Sequence, residues 1–66
     1  MKISLDKSVN TPLYVQLCEE IKENIIKENL KEEEKLPSIR SLARELNINN
    51  ITVINAYKLL EKEGYV

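Results

Sequence analysis

The residues of this 66-residue chain best suited to touching and recognising something cluster between Ser38 and Lys58. Ser38 and Arg40 open one segment, and the stretch NINNITVINAY, from Asn47 to Tyr57, opens the next. Asn49, Asn50 and Asn55 carry amides that both donate and accept hydrogen bonds, and Thr52 adds a hydroxyl. Arg40 and Lys58 supply cations. Ile51 and Ile54 fall outside the apolar stripe of their own segment and give the same surface an apolar component. This is a chemistry of contact, not of bond making. The chain has no histidine and a single cysteine, Cys18, so no Ser/His/Asp triad, Cys/His pair or zinc site assembles from it. Glu32, Glu33 and Glu34 are consecutive, so they do not converge on a metal and read as a solvated loop. The domain is therefore expected to hold no metal or cofactor and not to be an enzyme.

Such residues need a scaffold, and the composition says which kind. Hydrophobic residues make up 42% and charged residues 32% of the chain, which suits a globular fold. One glycine and two prolines leave little material for hairpins. Apolar residues recur at helical spacing, so the expected class is all-α. The formal net charge is −1, unusual for a nucleic-acid binder, but the halves differ. Residues 1–34 hold five Lys against one Asp and seven Glu, a net −3; residues 35–66 hold three Lys and two Arg against three Glu, a net +2. An acidic scaffold followed by a mildly basic surface is the simplest reading. A lone cysteine gives no internal disulfide, and no apolar run reaches the length of a signal peptide or membrane span. A cytoplasmic location is expected.

Three helices are predicted. Residues 1–10 form an N-terminal arm with Ile3, Leu5 and Val9 alternating with polar neighbours. Helix 1 covers 11–29, with Thr11 as N-cap, Pro12 at the first helical position and a buried stripe of Tyr14, Leu17, Cys18, Ile21 and Ile25. Glu19, Lys22 and Glu23 take the wet side. Cys18 lies in the stripe and reads as a small core residue, since nothing near it would lower its pKa. Helix 2 covers 38–46, capped by Ser38, with Ile39, Leu42, Ala43 and Leu46 inward and Asn47 in the turn. Helix 3 covers 50–63, capped by Asn49 or Asn50, with Val53, Ala56, Tyr57 and Leu60 inward and Gly64 at its end. Tyr65 and Val66 read as the start of a strand cut short by the end of the chain.

Helices 2 and 3, joined by a tight turn, make a helix-turn-helix pattern. Leu42, Ala43 and Ile48 brace Val53 and Ala56, leaving Ile51, Ile54, Asn55 and Lys58 together on the opposite side. A helix so braced can enter the major groove of DNA, about 12 Å wide, with its N-terminal turn leading. Its free N–H groups and positive dipole end suit phosphate. The same pattern also occurs in packed helix pairs that touch no DNA. In that case Ile51 and Ile54 would form an exposed apolar patch of a protein-interaction module.

PLYVQLCEEIKENIIKENL and KLPSIRSLARELNINNITVINAYKLLEKEGYV together resemble the N-terminal domain of the GntR family of bacterial transcription regulators. The resemblance runs from Pro12 to Val66. LPSIRSLARELNI, Thr52-Val53 and AYKLLEKEGYV are its most specific pieces. PLYVQL and NAYKLLEKEGYV look most like the YtrA-like and MocR-like branches, in which a small helical dimerisation segment or a large aminotransferase-like domain follows. The resemblance implies a three-helix winged helix-turn-helix domain whose C-terminal wing hairpin is truncated here, with residues 65–66 starting it. It also implies a homodimer, assembled through a domain absent from this sequence, on a double-stranded operator. By position, Ser38, Arg40, Asn49, Asn50, Ile51, Thr52, Ile54, Asn55 and Lys58 would contact DNA. Many members carry arginine where Asn50 stands, and some where Ile54 stands. Without those charges, guanine readout gives way to asparagine on adenine and isoleucine on a thymine methyl.

Overall fold

The computed structural model describes residues 3–27 and 36–65, and it holds three helices. They are α1 (Leu13–Lys27), α2 (Ile39–Leu46) and α3 (Asn50–Lys62). The predicted loop at Glu32–Glu34, the last residues of predicted helix 1 and Val66 lie outside the described residues. Among the described helices α3 is central: its backbone lies close to both α1 and α2, whereas the backbones of those two stay further apart. No helix among the described residues is long and apolar enough to cross a membrane.

The core follows from the spacing. Leu17, Cys18 and Ile21 of α1, Leu42 and Ala43 of α2, and Val53, Ala56 and Leu60 of α3 are all buried together. The four-residue and three-residue steps put each set on one side of its helix. Ala56, with a single methyl, lets neighbouring backbone approach closely. Burial pushes the Cys18 thiol up, away from the reactive thiolate. Alkylation of Cys18 in the native chain is accordingly expected to run at least about 100-fold slower than in urea, as the stability of a small domain requires. Equal rates followed by mass spectrometry would show that the α1 face is open.

Both helix ends of the turn motif are built locally. Asn47 adopts the left-handed conformation, φ 55 and ψ 50. Its N–H reaches Arg44 O at 3.2 Å, and the Ile48 N–H reaches Ala43 O at 2.9 Å. The end of α3 repeats the device, with Gly64 at φ 83, its N–H on Glu61 O at 3.1 Å and the Tyr65 N–H on Leu60 O at 2.9 Å. These paired bonds satisfy carbonyls that a helix end leaves orphaned. They also turn Ile48 and Tyr65 back against the core, where both are half-buried. Tyr65 thus closes the α3 cap through its backbone N–H.

The N-terminal region departs most from expectation. α1 begins at Leu13, two residues later than predicted. The Pro12 carbonyl accepts from the Val15 and Gln16 N–H groups, both at 3.1 Å, while Thr11 belongs to the preceding loop. The Gln16 side chain explains this. Its amide donates to the carbonyls of Asp6 and Thr11, at 3.0 and 2.8 Å, and its oxygen accepts the Asp6 N–H at 2.8 Å. The arm is thereby fastened across α1, with Ile3 and Leu5 packed on the core and the Ser4 N–H donated to Glu20 at 3.0 Å. Ser8 closes the turn by donating its hydroxyl and N–H to Asp6, which holds that carboxyl below its usual range.

The rotation of α1 about its axis also differs. Tyr14, predicted in the core, is 38% exposed, whereas Asn24 is buried and donates to Glu20 O at 2.8 Å. Lys22, predicted on the wet side, has only 14% of its side chain exposed. It pairs with Glu63 at the end of α3 and with Glu19 at 3.2 Å, and its ammonium lies 5.4 Å from the centre of the Tyr65 ring. The bonds to Glu63 hold the ammonium protonated well beyond the usual lysine range. Packing against α3 has chosen the face that lets this cation reach the α3 terminus.

Candidate nucleic-acid interface

Two helix starts converge to make the candidate surface. Ser38 stands in extended backbone before α2, and its hydroxyl oxygen accepts the Ser41 N–H at 3.1 Å. Asn49 does the same for α3, its side-chain oxygen accepting the Ile51 N–H at 2.8 Å while its carbonyl takes the Thr52 N–H at 3.0 Å. An N-cap of this kind is worth about 1 kcal/mol and fixes where the helix begins. Asn49 is therefore the cap, and Asn50 is the first helical residue, exposed beside Ile51.

Ile51 is 62% exposed, and Asn55 and Lys58 follow it on the outer side of α3. Val53, Ala56 and Leu60 are buried on the opposite side. Thr52 is half-buried at the edge. Ile54 corrects the sequence reading, because it too is half-buried and the exposed apolar patch shrinks to Ile51. A step of one residue turns about 100° around the helix, so Ile54 flanks the buried Val53 instead of opposing it. One exposed isoleucine is ordinary on a protein surface.

Arg40 is exposed in the first turn of α2 and forms no ion pair among the described residues. A cation placed there works against the helix dipole, so its position does not serve the stability of α2. Its location relative to α3 is set by a contact that spacing did not reveal. The Tyr57 hydroxyl donates to Pro37 O at 2.6 Å, tying the lead-in of α2 to the middle of α3. Tyr57 is half-buried against the core as expected, and burial pushes its phenol up. Ser38 and Arg40, one and three residues beyond Pro37, are thus anchored beside the α3 surface.

A second feature escaped the sequence reading. Tyr14 of α1 faces Asn55, Lys58, Leu59 and Lys62 of α3 across a shallow notch of about 390 Å³. Asn55, Lys58 and Lys62 are spaced by three and four residues, a shared-face signal visible in the sequence. The partner across the notch was hidden by the misplacement of Tyr14 in the core. Among the described residues no cluster of His, Cys, Asp or Glu could hold a metal ion.

Comparison with known proteins bears on this surface. Residues 13–66 match the family described as bacterial regulatory proteins, gntR family. The chain is 42% identical over 64 residues to the HTH-type transcriptional repressor YtrA of Bacillus subtilis, covering 97% of this chain and 49% of that protein. It is 36% identical over 62 residues to the probable rhizopine catabolism regulatory protein MocR of Rhizobium meliloti, covering 94% of this chain and 13% of that protein. Among solved structures, YtrA from Sulfolobus acidocaldarius, a GntR-family transcription factor, superposes with a TM-score of 0.88 at 47% identity. That match covers 94% of this chain and 66% of the other. The chain spans about half the length of the Bacillus repressor.

Proposed function

Because this chain belongs to the GntR family of bacterial regulatory proteins, we propose that it is the operator-reading domain of a transcription regulator. In this reading α3 enters the major groove of double-stranded DNA by its first turn. The observation that carries it is the outer face of α3, exposed and capped, with no carboxylate in the helix before Glu61. Between Lys35 and Leu60 the sequence holds a single acidic residue, Glu45, although the chain has 11 in all. The overall acidity therefore lies elsewhere, mostly in the first half, and does not oppose a polyanion at this surface.

Each candidate residue has a role by its chemistry. Asn50 matches the donor and acceptor of adenine, and Ile51 packs on a thymine methyl, with Ile54 at its flank. Thr52, Ser38 and Arg40 meet phosphate, and Asn49 holds the helix start toward it. Asn55 and Lys58, further along, reach the backbone. Two such domains would sit on an inverted repeat, joined as a homodimer by segments outside this sequence, in the cytoplasm and with no cofactor in this domain. The half-burial of Ile54 removes most of the apolar patch that a protein-docking module would need.

Selection of binding sites from random DNA tests the reading, and A·T-rich half-sites are the expected winners. Winners dominated by G·C at the central positions would overturn the base assignment. In a salt titration by fluorescence anisotropy, affinity should fall steeply as ions compete for phosphate. Arg40→Ala is expected to weaken binding roughly five- to tenfold at about 0.1 M salt, uniformly across sequences, and to flatten the salt slope by about 1. A salt-independent affinity in the parent chain would end the phosphate mechanism.

A further inference from the structure

The notch between α1 and α3 joins the later turns of α3 to a residue outside the helix-turn-helix pair, Tyr14, and its chemistry is specific. Its lining is a phenol, an amide and two ammonium groups around Leu59, with no carboxylate. We propose that this notch seats a backbone phosphate of the bound DNA, making Tyr14 and Lys62 part of the interface. This rests on α3 being the helix that enters the groove.

Three observations carry it. Lys58 and Lys62 form no ion pair among the described residues, whereas Lys22 of the same fold is engaged by two glutamates. The Tyr14 hydroxyl likewise makes no hydrogen bond among the described residues, and its ring stands at the surface. The distances also fit. A helix rises about 1.5 Å per residue, so Lys58 lies about 10 Å and Lys62 about 16 Å along the axis from Ile51. The major groove is about 8.5 Å deep. When the first turn of α3 reaches the base edges, these lysines stand at and beyond the groove rim, where the phosphates run. The half-buried Leu59 and the Tyr14 ring form an apolar wall that strengthens a charge-assisted hydrogen bond made against it.

The two new residues differ in charge, which makes them separable. With the full chain and a random-sequence duplex of about 20 base pairs, Lys62→Gln should flatten the salt slope by about 1 and weaken binding roughly five- to tenfold at about 0.1 M salt. Tyr14→Phe keeps the ring and loses the hydroxyl, so binding should weaken a few-fold at an unchanged slope. Methylphosphonate replacement along the duplex selected from random DNA should find a phosphate whose neutralisation costs the parent chain affinity but costs Lys62→Gln little. If Arg40→Ala weakens binding while both notch variants match the parent in affinity and slope, the notch proposal fails and groove entry stands. If the notch variants change sedimentation and not DNA affinity, the notch is a protein interface and the proposal is overturned. If the parent chain binds no duplex at any salt, the reading of α3 fails first and takes the notch with it.

Discussion

Leu42→Ala is expected to lower the melting temperature of the domain by about 10 °C or more. It should also weaken DNA binding further than the unfolded fraction alone explains. Leu42 is the largest fully buried side chain that α2 contributes to the core. Truncating such a leucine costs about 2–5 kcal/mol, the sum of lost transfer energy and the cavity left behind. A chain of 66 residues has a total stability of only about 3–10 kcal/mol, so the loss is a large part of the whole. The effect on binding has a topological origin. Among the described helices the α2 backbone lies close to α3 and not to α1, so a cavity at Leu42 loosens α2 before it loosens the α1–α3 pair. Ser38 and Arg40 then lose their fixed place beside α3, with the Tyr57–Pro37 bond left to hold them. Ile26→Ala provides the control, because Ile26 is 66% exposed and its truncation should change stability by no more than about 0.5 kcal/mol. Thermal melts by circular dichroism, with anisotropy measured well below each midpoint, separate the two effects. A Leu42→Ala midpoint within about 3 °C of the parent would mean that α2 is not held by this contact.

The turn motif was legible because its determinants are local. Ser38 and Asn49 cap helices through bonds to residues two or three positions away, and Asn47 and Gly64 terminate helices by their own backbone preferences. Spacing of three and four then placed Leu42, Ala43, Val53, Ala56 and Leu60 correctly in the core. The family resemblance rested on this segment together with the leading helix from Pro12, and residues 13–66 match that family. The rotation of α1 was less legible, for a physical reason. A stripe through Tyr14 and Ile25 and a stripe through Asn24 both contain Leu17, Cys18 and Ile21, so periodicity cannot choose between them. The choice is made by contacts distant in sequence, notably Lys22 with Glu63 and the Gln16 amide with the arm. Those contacts expose Tyr14 and so create the notch. Ile54 illustrates the same limit at smaller scale: a residue at the margin of a stripe is assigned to a side only when its neighbours are in place.

The sharpest separation of the two functional classes comes from placing opposite charges at Ile51. Ile51 is largely exposed in the first turn of α3, so replacing it removes little core packing. Aspartate there complements the helix dipole and should leave stability unchanged or raise it by about 0.3–1 kcal/mol. On DNA the same change discards an apolar contact and brings a carboxylate against a polyanion, so affinity should fall about 100-fold or more. Ile51→Lys inverts both signs. It works against the dipole by about the same 0.3–1 kcal/mol, yet adds a cation at the groove, so duplex binding should tighten while the preference for A·T half-sites relaxes. A docking face for an apolar protein partner predicts a different pair of outcomes, because either charge would have to be desolvated there and both variants would bind less. Melting curves and anisotropy on the three proteins decide the matter. Aspartate that stabilises and abolishes binding, beside lysine that destabilises and strengthens it, is a signature only a polyanion produces. Equal loss with both charges would move Ile51 out of the groove and onto a protein.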